Sequence, residues 1–186
     1  MTVKRLLPLV LLVGAAAALG ACATLQRGPV GNAAVPQPAK PVELNRYLGR
    51  WYELARYEAG FQKDCEAVTA DYSLLENGPV RVLNRCRQGA IDGPVKQSEG
   101  KAKVVEGSEN AKLKVSFFGP FYVGDYWVLD HADDYSWSIV GEPSGRYLWI
   151  LSREARPGTE TRQALRSRVQ ALGYELSLLR ETQQPG

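Results

Sequence analysis

Hydrophobic and polar residues alternate with a period of two along much of the chain after residue 65. In "AVTADYSLL" an apolar side chain stands at every second position from Val68 to Leu74. The turn signal "ENGP" follows, and after it Val80 and Val82 flank Arg81. Strands with one apolar and one polar face show this alternation, and a short turn between two of them forms a hairpin. The pattern therefore predicts an antiparallel β-hairpin.

Later segments repeat the alternation. The apolar face is formed in "AKLKVSFF" by Leu113, Val115 and Phe117, and in "YSWSIV" by Tyr135, Trp137 and Ile139. Further strand candidates are residues 50–57, 98–106, 125–131 and 146–153. In the last of these, "RYLWILS" is apolar on both faces, so another element must cover its outer face.

A helical pattern comes directly after that strand, in "PGTETRQALRSRVQALG". Leu165, Val169 and Leu172 form one stripe, Thr159 stands at the expected N-cap, and Gly173 lies just past the end. A final strand candidate, "YELSLLRE", follows. Short, evenly spaced strands with one helix after them predict an all-β fold, an eight-stranded antiparallel up-and-down barrel with a C-terminal α-helix and a short final strand.

Residues 1–21 have the pattern of an export signal. Lys4 and Arg5 precede an apolar run of about 14 residues, which is short for a membrane span. The closing "LGAC" resembles the bacterial lipobox, which implies cleavage before Cys22 and acylation of that cysteine. A plain signal peptide with an incidental cysteine is the alternative. Ala23 stands where the retention signal for the inner membrane has aspartate, so the lipobox resemblance implies the outer membrane.

Residues 22–41 are predicted to be a lipidated cysteine followed by a flexible tether. They carry no hydrophobic period and are interrupted by Pro29, Pro36, Pro38 and Pro41. Fully extended, the tether would reach about 60 Å at roughly 3.1 Å per residue. Residues 42–186 remain for a single domain with one core.

Charge and composition argue against several functions. Removal of residues 1–21 leaves 21 basic against 20 acidic residues, and no basic block carries interleaved aromatics, so no nucleic-acid partner is predicted. The single histidine, His131, rules out a metal site with two or three imidazoles from one chain. The acidic neighbours of His131 in "LDHADDY" could hold a cation, but a solvated hairpin turn explains them as well. With no nucleophile elbow and no phosphate-binding glycine loop, we predict no catalytic residue, no metal, no cofactor and no enzymatic activity.

Two cysteines remain in the domain, Cys65 and Cys86. In an exported protein an even pair is most simply a disulfide, with two free thiols as the alternative. Strict alternation places Cys86 on the face of Val80 but Cys65 on the face opposite Val68. A bond between them therefore requires Cys65 to precede the regular strand, or a β-bulge nearby.

Three short motifs carry a family resemblance. "YLGRWYELARY" resembles the first lipocalin signature through Gly49 and Trp51, and "GDYWVLD" resembles the second through Asp125 and Tyr126, with glycine where threonine is usual. Arg153 in "LWILSR" matches the arginine of the third. With "VTADYSL", "QSEGKAKV" and "AKLKVSFFGPFY", residues 42–186 look similar to the bacterial lipocalins, outer-membrane lipoproteins related to apolipoprotein D.

The resemblance implies a role for each signature residue. In lipocalins the tryptophan closes one end of the barrel and the arginine packs across its indole, so Gly49, Trp51 and Arg153 are expected to be structural. It also implies a protein that is anchored to the outer membrane through acyl chains on Cys22 and faces the periplasm. Its expected ligand is a fatty acid or a lysophospholipid, held inside the barrel for lipid storage, transport or scavenging.

The apolar faces of the strands supply the predicted ligand-binding wall, made of Tyr72, Val82, Leu113, Val115, Phe117, Tyr135 and Trp137. The same residues could instead fill the barrel as an ordinary core, and alternation alone does not separate the two. Glu53 would also point inward, which implies a partner arginine, water or a ligand head group.

Two other functions stay open: a barrel for a tetrapyrrole, and a lipoprotein that binds a partner or forms a homodimer through the apolar loop with Phe118, Phe121 and Tyr122.

Overall fold

A computed structural model describes residues 28–76 and 78–186, so the predicted signal segment and Cys22 lie outside the described residues. Among the residues it describes, no helix is long and apolar enough to cross a membrane. The strands are β1 Gly49–Tyr57, β2 Cys65–Leu74, β3 Val80–Gln88, β4 Val95–Val104, β5 Lys112–Ser116, β6 Gly124–His131, β7 Trp137–Gly141, β8 Leu148–Ser152 and β9 Leu179–Glu181. The helices are α1 Leu44–Tyr47 and α2 Thr159–Ala171, with short 3₁₀ turns at Gly60–Gln62 and Leu176–Leu178.

The first eight strands close into a barrel. Each strand pairs antiparallel with the next along the chain, and β1 pairs with both β2 and β8. The short β9 adds to β1 outside the barrel. Closure leaves no free edge in the eight-stranded sheet, as antiparallel barrels require. The predicted fold, an eight-stranded up-and-down barrel with a C-terminal helix and a final strand, is confirmed.

Helix α2 covers the outer face of β7 and β8. Leu165 and Val169 are buried in one cluster with Leu148 and Ile150, which explains why β8 is apolar on both faces. Gly173 follows the helix at φ +87°, a left-handed conformation that favours glycine. The expected cap was wrong: Gly158 is the N-cap, and Thr159 is already the first helical residue.

The structure corrects the predicted positions of Tyr135 and Trp137. Strand β7 begins at Trp137, whose side chain packs on the helix side of the sheet, so the inward positions are Ser138 and Val140. Tyr135 lies before the strand in a turn, at φ +61°, and packs at the closed end of the barrel. Because α2 makes the outer face of β7 as apolar as its inner face, hydrophobicity could not identify the phase of the alternation.

Residues 28–41 form hydrogen bonds with the barrel. They contain no helix or strand, as predicted, but they run along the outside of the barrel. The Gly31 amide donates to the Gly145 carbonyl at 2.9 Å, and the Ala39 amide donates to the Leu129 carbonyl at 3.3 Å. Val42 is buried at the far end of this path. We call residues 28–41 the leader segment.

The signature residues close one end of the barrel. Trp51 is fully buried. The guanidinium carbon of Arg153 lies 3.8 Å from the centroid of the Trp51 ring. Arg153 also donates hydrogen bonds to the Arg46, Leu48 and Arg50 carbonyls at 2.7–2.9 Å. Gly49 opens β1 at φ +89°, where a side chain would be strained. The expected packing of Arg153 on Trp51 is thus present in the structure.

Candidate ligand-binding cavity

A cavity of about 720 Å³ occupies the barrel interior. Its wall is mostly apolar, with Val68, Ala70, Val80, Ala102, Val128 and Leu151 among the lining side chains. The cavity opens at the end that carries the loops β1–β2, β3–β4, β5–β6 and β7–β8, which we call the mouth. Ligand pockets for small molecules commonly span about 300–1,000 Å³, so the barrel is hollow enough to hold one.

Five of the seven predicted wall residues line this cavity: Tyr72, Val82, Leu113, Val115 and Phe117. Tyr135 and Trp137 do not line it, for the reasons given above. The five residues that line the cavity belong to β2, β3 and β5, or directly follow β5. In these strands one face of the sheet points inward and the other meets solvent. Their role in binding a ligand stays a prediction.

A cluster of hydroxyl groups forms the floor of the cavity. The Tyr126 hydroxyl lies 2.9 Å from that of Tyr47 and 3.1 Å from that of Tyr72, and the Ser138 hydroxyl is 2.9 Å from Tyr47. The sequence pattern identified neither Tyr47 as a cavity residue nor Ser138 as its hydrogen-bond partner. Tyr47 stands in the first signature, two residues before Gly49, and that position is the only signal that could have pointed to it.

Burial keeps these phenols neutral. It raises the pKa of Tyr47 to about 12, and it raises the pKa of Tyr72 and of Tyr126 above the ordinary value. Uncharged hydroxyls that satisfy one another tolerate contact with hydrocarbon better than an ion would. The floor can therefore meet the apolar end of a ligand.

Glu53 is a buried carboxylate on the cavity wall, as its inward position in the sequence implied. Its carboxylate accepts a hydrogen bond from Arg56 at 2.8 Å, and both side chains are nearly inaccessible to solvent. Thr182 and Gln62 donate to the same carboxylate. The partner arginine that the sequence required is thus present, and the charge is satisfied without a ligand head group.

Apolar side chains surround the mouth. Phe118, Phe121 and Val123 in the β5–β6 loop are 86%, 71% and 82% exposed, and Phe61 in the β1–β2 loop is 63% exposed. We call these four residues the rim. Lys96, at the start of β4, lines the cavity beside them and contacts the Phe61 carbonyl at 3.5 Å.

Asp125 and Tyr126 of the second signature both lie at the cavity. Asp125 pairs with Lys114 on the neighbouring strand at 2.7 Å, while Tyr126 belongs to the hydroxyl floor. Within residues 28–76 and 78–186, no group of three or more His, Cys, Asp or Glu side chains is placed to hold a metal ion.

The disulfide lies near the mouth. Cys65 and Cys86 are bonded and bury their side chains with Val68 against the cavity. Of the two arrangements that the alternation allowed, the structure has the β-bulge, because the β2–β3 register shifts between Glu66 and Thr69. The prediction of a disulfide is confirmed.

Replacing both Cys65 and Cys86 by alanine should lower the free energy of unfolding by about 3 kcal/mol, because the bond restricts a loop of 21 residues in the unfolded chain. Urea unfolding monitored by circular dichroism measures the change. The oxidised and reduced wild-type protein form the control, since reduction should produce the same loss. Equal stability of the oxidised protein and the double variant would contradict the prediction.

A closed antiparallel barrel with an apolar cavity open at one end defines a class of proteins that carry small hydrophobic molecules. The chain matches the lipocalin-like domain family over residues 42–184. It therefore belongs to the lipocalin family.

Relatives extend this assignment. The chain is 38% identical to the outer membrane lipoprotein Blc of Escherichia coli K12 over 98% of this chain and 99% of that protein. It is 45% identical to Blc of Vibrio cholerae over 71% of this chain and 77% of that protein. Apolipoprotein D of Macaca fascicularis is 35% identical over 95% of each chain. The chain is thus a bacterial-type lipocalin related to apolipoprotein D and a lipid-anchored protein of the outer membrane.

Solved structures show the same fold. Insecticyanin from the tobacco hornworm Manduca sexta superposes with a TM-score of 0.67 at 18% identity, covering 84% of this chain and 88% of that one. The cockroach allergen Per a 4 superposes with a TM-score of 0.63 at 20% identity, covering 83% of this chain and 96% of that one. At these identities the likeness concerns the fold alone.

Proposed function

We propose that the protein binds one single-chain amphiphile, a fatty acid or a lysophospholipid, inside the barrel. The observation that carries the proposal is the apolar cavity of about 720 Å³, which has a neutral floor and reaches the loops of the mouth. Each methylene that moves from water into such a wall contributes about 0.8 kcal/mol, so a long acyl chain gains most of its affinity from burial. Storage, transport or scavenging of lipids in the cell envelope is the corresponding role.

The polarity along the cavity supports one orientation of the ligand. The acyl chain meets the apolar wall and ends near the Tyr47 and Tyr126 hydroxyls. The polar head lies at the mouth, where Lys96 offers a positive charge to a carboxylate or a phosphate. Glu53 takes no part in head-group binding, since its carboxylate already has Arg56 as a partner.

We further infer that Cys22 carries the acyl anchor. Residues 1–21 are the cleaved lipoprotein signal, residues 22–41 hold the lipidated cysteine and the connection to the barrel, and residues 42–186 form the lipocalin domain. The match to E. coli Blc over 98% of the chain supports this division. One acyl chain alone gives reversible attachment, whereas several hold a protein on a membrane durably. The proposed topology faces the periplasm.

Native mass spectrometry of the Cys22→Ser chain, exported to the periplasm and stripped of lipid with solvent, tests the proposal. After addition of palmitate or lysophosphatidylethanolamine, one bound molecule per barrel is the expected result. A barrel that retains neither would contradict the proposal. Visible absorbance of the same protein before extraction separates the lipid hypothesis from a tetrapyrrole, because only the latter is coloured.

A substitution that fills the cavity should abolish binding. Ala102 is buried on β4 and lines the cavity, so Ala102→Trp would place an indole in the space of the acyl chain. We expect the affinity for a fluorescent fatty acid to fall at least tenfold. Lys101→Trp is the matched control, because Lys101 is the exposed neighbour of Ala102 on the same strand. An Ala102→Trp protein that folds, judged by its melting curve, and still binds like the control would contradict the assignment of the cavity.

A further inference from the structure

The leader segment fixes where the chain leaves the barrel. Near the closed end, Lys40 pairs with Asp133 at 2.8 Å and donates to the His131 carbonyl at 3.1 Å. At the other end, the Asn32 side chain donates to the Leu172 carbonyl at 2.9 Å, and Arg146 donates to the Gly28 carbonyl. The leader segment thus spans the barrel from its closed end to its mouth.

The docking at the mouth depends on close packing. A Cβ atom built on Gly31 would lie 2.1 Å from the ring of the buried Tyr57, so only glycine fits there. A Cβ atom on Gly145 would lie 1.8 Å from the Asn32 carbonyl oxygen. The glycines on both sides of this contact allow the two backbones to approach and form the hydrogen bond between Gly31 and Gly145.

The sequence then limits how far the anchor can reach. Gly28 is six residues after Cys22, a span of at most about 20 Å even for an extended chain. The longest strands have ten residues, and with the usual barrel tilt of about 40° they make a wall about 25 Å high. The connection from Gly28 to an anchor at Cys22 is thus shorter than the barrel wall, so such an anchor would act at the mouth and not at the closed end.

The exposed large apolar side chains are also concentrated at the mouth of the barrel. Among the large apolar residues that are exposed in the described part of the chain, Leu74 alone lies at the closed end. The four rim residues, with Val30 and Val95, lie at the mouth. An apolar surface of this extent that is exposed in water normally has a binding partner.

We propose that the mouth of the barrel lies on the phospholipid surface of the membrane that holds the anchor, and that the rim enters the head-group region. The docked leader segment sets this orientation by bringing the chain out beside the mouth. The proposal rests on the proposed acylation of Cys22. An apolar edge of aromatic side chains next to a lipid anchor binds cooperatively with it, because the anchor keeps the edge close to the lipid. In this orientation an amphiphile passes between membrane and cavity without crossing water.

Site-directed labels on the full lipidated chain test the orientation. Phe121→Cys places an environment-sensitive fluorophore on the rim, and Leu74→Cys is the matched control at the closed end, since both side chains are exposed and apolar. Each protein is reconstituted into vesicles of phosphatidylethanolamine and phosphatidylglycerol that contain a lipid with a nitroxide on its acyl chain. We expect the nitroxide to quench the label at position 121 at least twofold more than the label at position 74.

Equal quenching at the two positions would overturn the proposal. A label at position 121 that is shielded from aqueous iodide but is not quenched by the nitroxide lipid would also overturn it, in favour of contact with a second copy of the chain. The intact mass of the same preparation reports acylation at Cys22. If Cys22 carries no acyl chain, both the anchor and the proposed orientation are refuted. The proposed binding of lipid in the cavity is tested by a separate measurement, native mass spectrometry, and does not depend on this result.

A second variant tests the leader segment itself. Gly31→Leu should release it from Tyr57 and Gly145, which lengthens the free connection to Cys22, so the difference in quenching between positions 121 and 74 should fall by at least half. Gly158→Leu is the control, because a Cβ atom there meets nothing within 4 Å. An unchanged difference in the Gly31→Leu protein would overturn the orienting role of the leader segment.

Discussion

Replacing Trp51 by alanine is expected to lower the free energy of unfolding by about 3–5 kcal/mol, the range for deleting a large buried aromatic side chain. Trp51 is fully buried at the closed end, and its indole donates a hydrogen bond to the Tyr47 carbonyl at 2.8 Å. The substitution would also remove the surface on which the Arg153 guanidinium lies. Urea unfolding followed by circular dichroism measures the change.

Trp51→Phe is the control for this prediction, because it keeps an aromatic ring beneath Arg153 and should lose clearly less stability than the alanine variant. The alanine variant should still bind lipid at low temperature, since Trp51 does not line the cavity. A loss below about 1 kcal/mol would show that the closed end can collapse around the missing indole, and would contradict a structural role for the signature tryptophan.

Replacing Glu53 by alanine should cost about 3–5 kcal/mol, because it leaves the Arg56 guanidinium buried without its main partner. Arg56 is wholly buried and would retain one carboxylate, the half-exposed Glu58 at 3.4 Å, beside its neutral partners, the Thr182 hydroxyl and the Gln62 carbonyl. Thr182, which donates to the same carboxylate from the chain beyond β9, would also lose its acceptor. The melting temperature and urea unfolding of the purified variant measure the effect.

Glu99→Ala is the matched control for the ion pair. Glu99 pairs with Arg81 at 2.6 Å on the outer surface, where solvent screens the interaction, so its removal should change stability far less. Glu53→Gln should fall between the two, since the amide retains acceptor capacity for Thr182. If Glu53→Ala and Glu99→Ala proved equally mild, the buried pair would not hold β1 in place as the structure indicates.

Much of the architecture could be predicted because it depends on local patterns. The period of two identified the strands wherever one face meets solvent, as in β2 and β5. The conflict between the faces of Cys65 and Cys86 predicted that Cys65 precedes the regular strand or that a β-bulge lies nearby, and the structure has the bulge. The contact between Trp51 and Arg153, which are far apart in the sequence, was expected only from the resemblance to the lipocalin signatures, and it is present in the structure.

Other features depend on packing that no local pattern records. The sequence pattern gave the wrong phase for β7 because α2 buries the outer face, so the adjacent apolar residues Ile139 and Val140 are both buried, on opposite faces of the sheet. The leader segment has the composition of a flexible linker, and its hydrogen bonds are with residues distant in sequence, such as Gly145 and Leu129. Whether the barrel is hollow depends on the volume that side chains leave unfilled, which alternation does not measure.

The docked leader segment also constrains the order in which the protein folds. Asn32 bonds to Leu172, 140 residues later in the chain, so this contact forms only after almost the whole polypeptide has been exported. Contacts between residues so distant in sequence form late, because the intervening loop must first be closed at an entropic cost. The leader segment therefore docks against the barrel as one of the last steps of folding, after the strands that it contacts have formed.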